Sequence, residues 1–139
     1  MEQRRFQYRL ACSYEGSDND IKNLEAEVLT KDGWEKLDLS ILTPGFLVFC
    51  YGILSCQHLY LRINAKERGL TLKSMTGSLD VTTTGDWIIQ KRHIQFDVVL
   101  ASGAPSTDDV NYIIERMHHC PSTINLRDAP DAETHVNFV

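Results

Sequence analysis

The sequence predicts an α+β domain with the element order βββ-α-ββ-α-β, and three observations predict it. The opening third alternates apolar and polar residues with a period of two. A helix-compatible run follows from Thr43 to Arg68 and ends at Gly69. A second helical pattern, Val110, Ile113, Ile114 and Met117, lies late in the chain with strand patterns on either side. No repeat, linker or low-complexity segment divides the 139 residues, so residues 1–139 read as a single domain. A domain of this size buries a sizeable core without disulfide staples.

The elements follow in order. Phe6, Tyr8, Leu10, Cys12 and Tyr14 share one face of a first, half-buried strand. "EGSDND" is a polar turn, and Leu24, Ala26 and Val28 alternate as a second strand. Asp32-Gly33 signals a hairpin, after which Leu37, Leu39 and Ile41 alternate as a third. Thr43-Pro44 predicts an N-cap with proline at the first helical position. Gly69 suits the left-handed residue beyond a helix end. Residues 70–81 and 94–100 predict two more strands, joined through the turn "TTTGDW". After the loop "ASGAPS", Ser106 and Asp109 form a capping-box pattern at the head of the second helix. A last strand is expected around His135–Val139.

Charge and hydropathy exclude some functions. The net charge is −5, which argues against a nucleic-acid partner, since phosphate backbones need a basic face. "MEQRRFQYRL" has no apolar stretch of the signal-peptide type. The most apolar segment, Phe46 to Cys56, has eleven residues, against the roughly 20 that span a bilayer. The expectation is a cytoplasmic protein with no membrane partner. Four cysteines in that compartment read as thiols, and positions 12, 50, 56 and 120 show no CxxC and no zinc spacing. Cys56, His58, His118, His119 and Cys120 contain nitrogen and sulfur enough for zinc, but His58 points away from Cys56 on a helix. The expectation is no metal and no cofactor.

The long helix is the main architectural clue. Its first half is apolar all round and should be buried on all sides. About 25 residues make a rod of roughly 37 Å. A globule of this size has a radius of gyration of only about 14 Å. A second subunit covering the helix, hence a homodimer, resolves the mismatch.

Two cysteines remain as chemistry candidates. Cys120 precedes Pro121, where a short helix over "PSTINL" would place unpaired N–H groups against the thiol and favour its thiolate. Cys56 lies within the apolar helix, far from either end, where packing is the simpler role. Cys50, six residues earlier, points to another face, and Cys12 belongs to the apolar face of its strand.

Three stretches, "SCQHLYLRINAKERGLTL", "IQFDVVLASG" and "DDVNYIIERMHHCPSTINL", resemble the OsmC/Ohr family of organic hydroperoxide resistance proteins over residues 42–139. The resemblance implies an intertwined homodimer with long central helices at its centre. It implies a thiol-dependent peroxidase acting on organic hydroperoxides, with Cys56 as the peroxidatic and Cys120 as the resolving cysteine. Cys56 would become a sulfenic acid, condense with Cys120 to a disulfide, and be restored by an external dithiol reductant. Phe46, Phe49 and Tyr51 would line the apolar substrate pocket.

The sequence departs from that pattern at two points. The family's activating glutamate near the start of the central helix is absent, and position 46, ten before Cys56, is phenylalanine. The early turn "YEGSDND" contains no arginine, which leaves Arg4, Arg5, Arg9 and Arg62 as substitutes. Two functions are therefore carried forward: the peroxidase, and a dimer of the same fold without efficient peroxidase activity that binds a small apolar ligand or a partner.

Overall fold

The computed structural model describes residues 2–122 and 130–139. They form β1 (Arg4–Glu15), β2 (Asp20–Thr30), β3 (Gly33–Lys36), α1 (Gly45–Glu67), β4 (Thr71–Thr83), β5 (Ile89–Ser102), α2 (Thr107–Met117) and β6 (Asp131–Phe138). This is the predicted α+β order. The strands make one sheet in the order β3-β2-β1-β4-β5-β6. All its pairs are antiparallel except β5–β6, whose crossover contains α2. α1 packs across β1 and β4, and α2 packs against α1 and β6.

Period-two patterning decides which sheet face is covered. Tyr8, Leu10, Cys12 and Tyr14 of β1, Met75, Leu79 and Val81 of β4, and Ile94, Phe96 and Val98 of β5 all point at the helices. Cys50, Ile53, Leu54 and Leu61 of α1, with Ile113 and Met117 of α2, complete the core. Gly77 sits in register between Leu10 and Phe96, and a Cβ there would lie 2.8 Å from the Phe96 ring. The absent side chain is what lets that ring lie over β4.

The helix ends follow their signals in part. Gly69 is left-handed at φ 71°. Its N–H bonds Lys66 O, and the Leu70 N–H bonds Ala65 O, the paired pattern of a Schellman ending. Ser106 and Asp109 form the full reciprocal capping box on α2. Thr43 does not cap α1: Pro44 is the N-cap residue and has no side-chain cap bond. The Thr43 hydroxyl instead accepts from Ser40 N at 2.9 Å, within a turn over residues 40–43.

Two further expectations change. The third strand comes earlier than its leucines suggested, at Gly33–Lys36 after a turn at Lys31-Asp32. Only Leu37 extends the ladder, donating to Ala26 O at 2.9 Å. Leu37 and Leu39 line a cleft, and Ile41 is 98 % exposed. The "EGSDND" turn is not merely polar surface. Asn19 is fully buried and left-handed at φ 56°; its side chain donates to Arg62 O and Leu70 O and accepts from Leu72 N, while Arg62 Nε donates to Asn19 O. One asparagine thus ties the first hairpin to the end of α1 and the start of β4.

α1 is not buried on all sides, because one sheet covers only one side of it. Val48, Phe49, Leu59 and Ile63 are each two-fifths or more exposed along the opposite side, with Gly52 and Ser55 between them. The eleven-residue estimate also understated this helix. Its 23 residues include an 18-residue window of mean hydropathy 1.3, enough by length and composition to cross a bilayer. Here it lies along a sheet and buries the polar side chains of Gln57, His58 and Asn64.

Candidate functional site

Cys56 and Cys120 are brought together where α1 meets the end of α2. They form a disulfide bond with a Cα–Cα distance of 6.3 Å, inside the range a disulfide spans. Cys56 is partly exposed and Cys120 is fully buried. Two residues separate Cys120 from Met117, the last residue of α2, and the Cys120 N–H donates to Met117 O at 3.2 Å. The same carbonyl accepts from Gln57 Nε2 at 2.7 Å. Cys120 therefore sits at the carbonyl end of α2, the negative end of its dipole. The short helix expected over "PSTINL" lies outside the described residues from Thr123 onward.

The other two cysteines are free and buried. Burial pushes the Cys50 thiol up to about 12. Cys12 is raised by the same cause, offset in part by the Tyr14 hydroxyl and Arg62. Neither supplies a thiolate near neutrality.

The histidines do not join the cysteines. His58 faces the sheet, with Nε2 2.6 Å from the Tyr14 hydroxyl and its ring stacked on Phe96. Burial, helped by Arg62, lowers its pKa to about 4, so the ring is neutral. His118 and His119 both approach Glu115, at 3.9 and 3.1 Å. The nitrogen and sulfur atoms counted along the sequence therefore do not converge on a metal position. Among the described residues, one other group offers ligand geometry: His93, Asp131 and Glu133, whose donor atoms lie within 4.8 Å of one another on β5 and β6. Its two carboxylates are exposed and His93 is half-buried, with His93 Nε2 at 2.8 and 2.6 Å from them.

The three aromatic residues named for a substrate pocket divide into two places. Phe46 and Phe49 lie 5.8 Å apart between ring centroids, and Phe46 also meets Phe6 at 4.8 Å and Trp87 at 5.3 Å. Phe49 lies seven residues before Cys56, two turns away on the same side of the helix. Tyr51 lies elsewhere. It borders a cleft of about 630 Å³ with Leu24, Ala26, Leu37 and Leu39, and a smaller one of about 170 Å³ with Ser55, His58 and Arg62.

The arginines named as substitutes are engaged with other partners. Arg4 lies 4.2 Å over the Trp87 ring and donates to Gly85 O. Arg5 pairs with Asp80 at 2.8 Å, and Arg9 pairs with Glu27 at 2.7 Å and stacks on Trp34. Arg62 bonds Asn19 O on the sheet side. Sequence reasoning missed Arg92 of β5, which is 3 % exposed and whose guanidinium donates to Thr134 Oγ1 at 3.4 Å. Its signal was available: it stands in register with Ile94, Phe96 and Val98 on the inward face.

Solved structures share this architecture. An OsmC-like hydroperoxide resistance protein from Jannaschia sp. CCS1 aligns over 90% of this chain and 88% of its own, at 17% identity and a TM-score of 0.55. A hypothetical protein from Aquifex aeolicus VF5 aligns over 94% of both chains, at 11% identity and a TM-score of 0.57. An OsmC-like protein from Mycoplasma pneumoniae aligns over 93% of this chain and 94% of its own, at 11% identity and a TM-score of 0.52. No protein-family model matches the sequence, and no curated protein matches it. The fold is the OsmC-like fold, as the sequence resemblance implied.

Proposed function

We propose that this protein is a thiol-dependent peroxidase that reduces organic hydroperoxides through Cys56 and Cys120. The observation that carries the reading is the pairing of these two cysteines, 64 residues apart in sequence, while Cys12 and Cys50 stay unpaired in the core. The fold shared with a protein named for hydroperoxide resistance supports it.

The chemistry balances in three steps. The Cys56 thiolate attacks the O–O bond of ROOH, giving Cys56–SOH and, with one proton, ROH. The Cys120 sulfur then attacks the sulfenic sulfur, forming the disulfide and releasing water. An external dithiol reduces that disulfide by two exchanges and leaves as its own disulfide. Regeneration by a dithiol fits the reducing conditions of the cytoplasm.

The protein acts as a homodimer in this reading. The exposed side of α1, from Val48 to Ile63, is an apolar stripe of the kind that a second copy covers. Gly52 and Ser55 leave room for close approach, and nothing lies within 4 Å of where a Gly52 Cβ would be. Phe49 and the partly exposed Cys56 belong to that side, so the dimer would enclose the reacting sulfur beside aromatic residues suited to an apolar peroxide.

A second reading rests on the placement of Phe46 and the arginines. The phenylalanine is held among Phe6, Phe49 and Trp87, and Arg5 and Arg9 are ion-paired, which favours a binding protein for a small apolar ligand. Steady-state consumption of cumene hydroperoxide with a dithiol reductant separates the two. Turnover by the wild type that is lost in Cys56→Ser supports the peroxidase. A wild type as slow as Cys56→Ser overturns it in favour of ligand binding.

A further inference from the structure

We propose that Gln57 is a positioning residue that holds Cys120 within bonding reach of Cys56 when the pair is reduced; the proposal rests on the redox reading above and adds a residue to it. Gln57 is the next residue after Cys56 on α1 and is 1 % exposed. A glutamine buried this deeply on a helix needs a reason, since an amide withdrawn from water must recover its hydrogen bonds. Its Nε2 donates to Met117 O at 2.7 Å. That carbonyl is at the end of α2, where helix geometry leaves it without an intrahelical donor. The Cys120 N–H meets the same oxygen at 3.2 Å.

These bonds close a small ring. It runs from Cys56 through one peptide to Gln57, through the amide to Met117 O, and through a hydrogen bond to the Cys120 backbone. The disulfide is the last link, and every other link is independent of it. When the disulfide is reduced, the Gln57 bond still ties the turn after α2 to the helix that bears Cys56. The Cα–Cα distance of 6.3 Å lies near the upper end of the bridging range, so a small drift of that turn takes Cys120 out of reach. The physical effect is a high effective concentration of one sulfur at the other. For the chemistry this matters at one step only: condensation of Cys120 with the Cys56 sulfenic acid, in competition with further oxidation of Cys56 by a second peroxide.

The test compares wild type with Gln57→Met, which keeps length and shape but cannot donate, and with Gln57→Asn, which keeps the amide but is too short to reach. The equilibrium of the Cys56–Cys120 disulfide against glutathione is measured on folded protein, with urea stability in a Cys56→Ser/Cys120→Ser background as the control for a purely structural role. The expected result is an equilibrium constant about tenfold lower in both variants, a potential about 30 mV more positive. With excess cumene hydroperoxide, a gain of two oxygens on Cys56 should also appear earlier than in wild type. An equilibrium constant within about twofold of wild type in the folded variants overturns the proposal, even if urea stability falls. Because the glutathione equilibrium involves no peroxide, it judges Gln57 separately. A lowered constant in protein that never reacts with peroxide supports the positioning role and overturns only the peroxidase.

Discussion

Cys50 and Cys56 lie on one helix, six residues apart, and meet opposite surroundings. Cys50 is fully buried against the sheet near Tyr8, and burial holds its thiol protonated up to about 12. Cys56 is partly exposed and faces the turn after α2, where Cys120 meets it. Residue type is the same and so is the helix; the face decides the chemistry. The difference extends along α1. The sheet side is a packed core, in which the Tyr14 hydroxyl meets His58. The open side is apolar and uncovered in the single chain.

The largest effect should come from exchanging the cysteines. Cys56→Ser should lower hydroperoxide turnover by on the order of 100-fold or more, because the proposed nucleophile is gone. Cys50→Ala should leave turnover within about twofold, since a buried, protonated thiol takes no part. Equal losses in the two variants would erase the distinction between the faces.

On the open side, Leu59→Arg places a charge in the middle of the apolar stripe. If the proposed homodimer forms through this stripe, sedimentation should show two chain masses for the wild type and one for the variant, because an unpaired charge in a buried interface is strongly unfavourable. On the sheet side the readout is stability. Asn19→Ala removes three side-chain hydrogen bonds at a left-handed residue and should cost about 2–4 kcal/mol in urea unfolding, with no change in chain mass.

His58 gives an effect tied to pH. It is neutral in the fold with a pKa of about 4, and takes up a proton near 6.5 once unfolded. Its contribution is therefore complete above about pH 6.5 and is lost as pH falls toward 4, by up to roughly 3 kcal/mol. His58→Gln should flatten that acid-side slope in urea titrations at pH 7.5 and 4.5.

Most of the fold was legible because the signals are local. Alternation in β1, the capping box at Ser106 and the glycine after α1 each need only a few neighbouring residues. Leu37, Leu39 and Ile41 misled because a period of two cannot tell a ladder from a cleft lining. Asn19 was hidden because its partners, at Arg62, Leu70 and Leu72, are more than 40 residues away in sequence. The cysteine pairing is of that second kind. Nothing in the spacing of positions 12, 50, 56 and 120 selects Cys56 with Cys120; the family resemblance named that pair, and the packing of α2 on α1 brings it together. Phe46 meets Phe49 while Tyr51 borders a different cleft, because nearness in a helical sequence does not put side chains on one face.

The most direct measurement is a thiol count. The four cysteines are fully reduced, one equivalent of cumene hydroperoxide is added without reductant, and free thiols are titrated in denaturant with peptide mapping. The account predicts that two thiols remain, on Cys12 and Cys50, and that Cys56 and Cys120 are recovered as one disulfide-linked pair. Four remaining thiols, or the same loss in Cys56→Ser, would contradict it.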